Sequence, residues 1–300
     1  MKVILILSEV PEAALAKSEI LHRLGLGEES KVVILASEQL GFSNSINVGT
    51  YDALRRGLLT STRIMVPAPW ARGAISSYHG EDVGVQLVTN SEHPIFHCGP
   101  LTYAPSLFDG SGGFPSEVED FWDHADPEET RREARAQIER AIYWGFDVSH
   151  LASSKDAMVA RPEFFDILLE LALEFRLPLR LDKSLDDPLI GFPAFRLASE
   201  EGVLTTDHHV DLWHKEWLKF QNPTEVFEEV VLSIEPGITE ITIRLGEDSS
   251  ELRALMHDWP RYVSFQQLAS SPNLIMEMFE KMGIRVIGYR DLKQAAQAIS

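Results

Sequence analysis

Short runs of apolar, often β-branched residues recur along almost the whole chain, each separated from the next by a stretch of helical period. This alternation restricts the fold more than any other feature. The strand candidates are Val32 to Leu35, Thr62 to Val66, Val83 to Val88, Val148 to Leu151, Leu177 to Leu181, Ile238 to Ile243 and Ile284 to Tyr289. Between them the spacing predicts helices. One stops at Gly57; one starts at Asp126-Pro127-Glu128-Glu129, buries Ala134, Ile138, Ala141 and Ile142, and ends at Gly145. Others cover Pro162 to Phe175, Thr224 to Ile234 and the stretch from Ser271-Pro272 to Gly283. No glycine fingerprint of a dinucleotide site follows any strand, so a parallel (β/α) barrel is expected rather than a doubly wound nucleotide fold. Three hundred residues suit one such domain. Residues 31–300 would form it, with 1–30, which include a helix candidate from Glu12 to Leu24, as an N-terminal extension packed on the barrel.

The net charge of -19, from 27 basic and 46 acidic residues, repels phosphate backbones and argues against a nucleic-acid partner. The single cysteine, Cys98, excludes an internal disulfide framework and suits a reducing compartment. Val3 to Leu7 is too short for the apolar core of a signal peptide, and no window approaches the ~20 apolar residues of a membrane span. The chain therefore reads as cytoplasmic, with no membrane partner.

A barrel delivers its chemistry where the strands end. The tips expected on one face are Ser37 to Gln39, Gln86, Ala152 to Ser154, Asp182 and Arg244. Glu38 is a candidate general base or a plain surface acid; Arg244 either holds a carboxylate, phosphate or sugar hydroxyl, or simply pairs with Glu38. Asp207 and His208 either orient a ligand or make a structural hydrogen bond. His208 and His209 are neighbours that a strand turns to opposite faces, so they would not chelate one ion together. No histidine pair lies on an expected helix at the i, i+4 spacing of a zinc site, and no Gly-x-Ser-x-Gly elbow occurs. The long stretch from 89 to 116, rich in Gly, Pro, Ser and aromatics, is expected to form a pocket wall or lid, or else an exposed insertion.

Several separate stretches then carry a resemblance: Ala36 to Asn47, Met65-Val66-Pro67-Ala68-Pro69-Trp70, Val83 to Asn90, Pro105 to Asp109, Arg135 to Ala141, Ser149-His150-Leu151, Arg161 to Phe165 and Glu235 to Glu240. In their order and spacing, the chain resembles the YdjC-like carbohydrate deacetylases, the family that includes chitooligosaccharide deacetylases, over nearly everything from Lys31 to Leu292. The resemblance implies a distorted TIM-like barrel in which an Asp and two His hold a divalent metal such as Mg or Zn. A second Asp there activates water against an N-acetyl group. This chain departs from that pattern at four tips. It has Ser37-Glu38-Gln39-Leu40-Gly41 for Ala-Asp-Asp-Leu-Gly, Gln86 for the His of Gly-x-His-Leu, Ser154 for the last His of His-Leu-Asp-Ser-His, and Arg244-Leu245 for His-Pro.

Neutral amides and a hydroxyl replace a metal's water shell poorly, so the metal is expected to be lost and no cofactor is expected in its place. The expectation is a degenerate site that binds a carbohydrate or other small polar ligand without hydrolysis. Gln39, Gln86, Ser154, Asp207 and His208 would contact the ligand, and Glu38 and Arg244 hold the catalytic positions. One alternative is an active hydrolase, with Glu38 as base and Arg244 on an oxyanion, or with a metal shifted onto Asp207, His208 or Asp156. Another is a scaffold or partner-binding protein, which a buried, collapsed pocket, with Arg244 paired to Glu38 across it, would favour. A homodimer is left open.

Overall fold

The computed structural model describes residues 21–27, 29–91, 93, 95–186 and 192–297. Its parallel strands are β1 (Lys31–Leu40), β2 (Ser61–Ile64), β3 (Val83–Leu87), β4 (Val148–Ser153), β5 (His208–Asp211), β6 (Gly237–Thr242) and β7 (Arg285–Val286). They run in the order β4-β3-β2-β1-β6-β5, with β7 off that path beside β1. The gap between β4 and β5 is spanned by Leu179, which bridges to Leu151 on one side and Thr205 on the other. Arg180 N donates to Leu151 O at 2.9 Å and Thr206 N to Leu179 O at 3.3 Å, so the ring closes as a distorted (β/α) barrel in one domain. The strand expected at 177–181 is thus reduced to one bridging residue beside Pro178, which has no N–H to give a ladder. β5, by contrast, forms inside a region whose sequence shows little period. β7 contributes only two residues because Tyr289 already opens a helix.

The longer helices are α1 (Asn44–Arg56), α2 (Pro127–Trp144), α3 (Pro162–Phe175), α4 (Pro223–Ser233), α5 (Trp259–Gln267), α6 (Pro272–Lys281) and α7 (Tyr289–Gln297), with helices of six or seven residues and 3-10 turns between. Their ends follow the local chemistry. Ser43 accepts from Ile46 N to start α1, and Asp126 accepts from the N–H groups of Glu128 and Glu129 to start α2. Outward-facing Val33 and Leu35 of β1 pack under Val226, Phe227 and Val230 of α4 and Phe279 of α6, all buried. Each such side chain contributes roughly 1.5–3 kcal/mol. No helix among the described residues is long and apolar enough to cross a membrane.

The alternate positions, Val32, Ile34 and Ala36, face inward, where they meet Leu204, Ile238, Ile287 and Leu292 to make an apolar floor. Leu21 and Leu26 join this cluster. Most of the helix expected at Glu12 to Leu24 lies outside the described residues. Above the floor the barrel interior changes character and becomes ionic.

Candidate functional site

The ionic layer begins with Arg63 on β2 and Glu240 on β6, both 0% exposed. Arg63 Nη1 donates to the two Glu240 oxygens at 2.8 and 2.7 Å. The Tyr289 hydroxyl donates to Glu240 Oε2 at 2.5 Å and Thr242 Oγ1 to Oε1 at 2.9 Å. A buried charge needs a countercharge and hydrogen bonds of this kind, although Arg63 Nε is left without a partner among the described residues. The His150 ring lies flat on Tyr289, 3.6 Å between centroids and 9° between planes. Gly84 of β3 makes room for it, since a Cβ there would fall 2.4 Å from the imidazole.

From this layer the chain of charge climbs to the strand tips. Arg63 Nη2 lies 3.5 Å from Glu38 Oε2. Glu38 Oε1 accepts from Arg244 Nε at 3.2 Å and Nη2 at 2.9 Å, and Arg244 Nη2 also reaches Asp211 Oδ2 at 3.1 Å. The Trp213 ring lies 5.4 Å from the Arg244 guanidinium carbon. Both oxygens of Glu38 are therefore held by guanidinium groups.

A cavity of about 550 Å³ lies over these groups. Glu38, Gln39, Gln86, Ser154 and Arg244 all line it, as does Asp156. Consecutive residues of a strand normally face opposite ways, yet Glu38 and Gln39 share this cavity. The pairing of β1 with β2 shifts register between Ser37 and Leu40, and that irregularity re-aims the tip. Gln39 Oε1 then accepts from the Tyr262 hydroxyl of α5 at 2.9 Å. After β4 the chain turns through Lys155 and Asp156, both left-handed at φ 51° and 53°. Such strain persists only where partners hold it, and Arg180 does so with hydrogen bonds of 2.6 and 3.3 Å to the Asp156 carboxylate. The long loop supplies the wall expected of it through Asn90, His93, Phe96 and Cys98, with Phe42, Met65 and Met256 completing an apolar side.

Two of the expected ligand contacts lie elsewhere. Asp207 accepts from Ile238 N at 2.8 Å and pairs with Lys183 at 3.0 Å, and His208 turns toward Pro236 and Glu235. Asp182, expected among the tips, accepts instead from His209 N and Ser184 N. Strand alternation puts His209, not His208, in the cavity, where its Nε2 lies 2.9 Å from Thr242 Oγ1. Arg63, Glu240, His150 and Tyr289 in the layer beneath, and Arg180 in the cavity wall, were not singled out from the sequence. The available signal was one arginine and one glutamate, each alone in an otherwise uncharged strand.

Burial pushes the Glu38 carboxyl up, but Arg244 and then Arg63 outweigh it and hold it down at about 2. Burial likewise opposes ionisation of Glu240, and the guanidinium of Arg63, with Arg180 behind it, overcomes that cost, so that carboxyl is also lowered. Burial keeps His150 and His209 neutral by lowering both, with Arg63 adding to the effect at His150 and Arg180 at His209. The signs set a stability profile. As pH falls through about 6.5, histidines of the unfolded chain take up protons that the folded chain refuses, and stability declines. Glu38 contributes fully above its ordinary value of 4.5 and loses that contribution as pH falls toward about 2. A shift of this size corresponds to about 3 kcal/mol. Thermal melts should therefore be level from pH 8 to 7 and fall progressively below about 6.5. His209→Asn should flatten the upper part of that fall; an unchanged profile would contradict a neutral His209.

Comparison with known proteins places the chain among recognised relatives. Residues 32–274 match the model of a family described as YdjC-like protein. A carbohydrate deacetylase of Thermus thermophilus is 41% identical over 186 residues, covering 62% of this chain and 66% of that one. One from Brevibacillus brevis is 33% identical over 151 residues, covering 49% and 58%. A third, from Geobacillus stearothermophilus, is 26% identical over 262 residues, covering 86% and 96%. The aligned stretch thus spans about two thirds or less of the first two relatives. A crystal structure from Enterococcus faecalis V583, of a candidate cellobiose-phosphate cleavage protein, superposes with a TM-score of 0.74 at 21% identity over 88% of this chain and 99% of that one, which shows a shared fold.

Proposed function

The chain belongs to the YdjC-like protein family, and from that premise we propose that it is a carbohydrate-deacetylase-type barrel that binds a sugar in the cytoplasm without a metal and without hydrolysing it. One observation carries this reading: both oxygens of Glu38 are engaged by Arg244 and Arg63, and Arg244 stands at a strand tip where the family pattern has histidine. A guanidinium has no lone pair to give a metal. The remaining donors fit a divalent ion poorly. Gln39 Oε1 is taken by Tyr262, Gln86 and Ser154 are neutral, and among the described residues no three His, Cys, Asp or Glu side chains are grouped to share an ion.

The hydrolytic alternative meets a chemical obstacle. A carboxylate held near a pKa of about 2 is a weak base for activating water, and Arg244 already gives its Nε and Nη2 to Glu38 and Asp211. The scaffold or partner-binding alternative expected a collapsed pocket; the Arg244–Glu38 pair forms, but about 550 Å³ remains open beside it.

Elemental analysis of the purified chain, with calorimetric titration by zinc and nickel, tests the reading. No stoichiometric metal and no binding at micromolar concentration are expected. One equivalent of bound metal, or release of acetate from N-acetylated chitooligosaccharides that Glu38→Gln abolishes, would overturn it.

A further inference from the structure

The cavity over the strand tips has two chemically different sides, and a bare sugar ring uses one of them. On the polar side Gln86 is 4% exposed, and its Oε1 is buried with no hydrogen bond from the described residues. The other side is made of Phe42, Met65, Phe96, Cys98 and Met256. Phe42 and Met256 belong to a small apolar cluster with Ile46, Leu252 and Tyr262, and Met65 and Phe96 pack against it. Burial pushes the Cys98 thiol up, so it stays uncharged.

The polar side chains of this wall are engaged within the wall itself. Beyond Asn90, which follows β3 by three residues, the Ser91 hydroxyl donates to Phe96 O at 3.1 Å and accepts from Cys98 N at 2.9 Å. His93 Nδ1 accepts from the N–H groups of Ile95 and Phe96 at 3.2 and 3.3 Å, so its proton sits on Nε2, which donates to Leu255 O at 2.9 Å. That last bond ties the loop to the segment before α5. The Phe96 ring stands edge-on to Phe42, 5.4 Å between centroids. The wall is therefore preformed, and its side chains offer the cavity carbon and sulfur.

Tyr262 joins the two sides into one site, with its ring in the apolar cluster and its hydroxyl donated to Gln39. The volume of about 550 Å³ exceeds what one hexose fills, and it lies within the roughly 300–1,000 Å³ of sites that enclose drug-sized ligands. A second sugar ring does not suit the remainder, because its hydroxyls would exchange water for side chains that cannot hydrogen-bond. An apolar group loses nothing there and gains by leaving water.

Resting on the carbohydrate reading above, we propose that the ligand is a glycoside with an apolar aglycone, aromatic or short-chain. The sugar occupies the strand tips, and the aglycone lies against Phe42, Met65, Phe96 and Met256. The wall thus decides which glycosides are held, while the tips hold the ring common to all of them.

Calorimetric titration of the full chain with methyl and phenyl N-acetyl-β-D-glucosaminide, and with N,N′-diacetylchitobiose as the two-sugar comparator, tests this. The phenyl glycoside is expected to bind about 10-fold or more tighter than either of the others, with the most negative heat-capacity change. Phe96→Ser should shrink the phenyl-to-methyl ratio by about 5-fold. Met65→Gln, which keeps the length of the side chain and adds an amide to the wall, should shift preference toward the disaccharide. Unchanged ratios in both variants would overturn the assignment of the wall. Equal affinity for the two glycosides, or tighter binding of the disaccharide, would overturn the inference and leave the carbohydrate reading intact. No binding of any of the three would overturn both proposals.

Discussion

Arg63→Met in the full chain is expected to lower the free energy of unfolding by about 3–5 kcal/mol, because it strands a carboxylate in a dry interior. Arg63 and Glu240 are both fully buried, and the guanidinium reaches both Glu240 oxygens. Desolvating a charge costs several kcal/mol, which only an equally buried partner offsets. Tyr289 and Thr242 would still donate to Glu240, but two neutral hydroxyls do not balance a full charge. The companion change Glu240→Met should be similarly damaging alone. The double variant should lose far less than the sum, since no charge is then left unpaired. Urea denaturation at neutral pH measures all three. A single-variant loss below about 1 kcal/mol would mean that water reaches the pair.

The second large effect concerns the four tips. Combining Gln39→Asp, Gln86→His and Ser154→His supplies one anionic and two imidazole donors at positions that already share one cavity. Zinc affinity is expected to rise by about 100-fold over the unaltered chain. Adding Arg244→His should raise it by about 10-fold more, because a fixed positive charge close to the ion opposes its entry. Metal titration with far-ultraviolet circular dichroism as a folding check reads both steps. If Arg244→His adds nothing, the guanidinium is not the group that excludes the ion.

Much of this architecture is legible in the residues. The alternation of strands and helices gives the barrel, and because every strand of a parallel barrel points the same way, Glu38, Gln86, Ser154 and Arg244 fall on one rim although they are more than 200 residues apart at the extremes. The boundaries at Asp126 and Gly145 follow from capping chemistry. The ionic interior is harder to read. Arg63 and Glu240 are separated by 177 positions, and each sits inside a stretch that pattern alone marks as buried strand. Nothing local says that the two side chains point at each other. The exchange of His208 for His209 depends on the phase of a four-residue strand in a region without period. Placing Gln39 beside Glu38 requires the irregular pairing of β1 with β2, which no single residue announces.

The Tyr289 ring, stacked on His150 and bonded to Glu240, has a further consequence for how the molecule is made. Arg63 emerges from the ribosome early, and its countercharge on Glu240 follows only after some 177 further residues. The hydrogen bond that completes the layer waits for residue 289. Until Glu240 is made, the nascent chain carries that guanidinium in a half-formed ring with Glu38 as its partner. Contacts of such long sequence separation form slowly and late. The layer therefore closes late in assembly, when the helix that carries Tyr289 locks a charge laid down on β2.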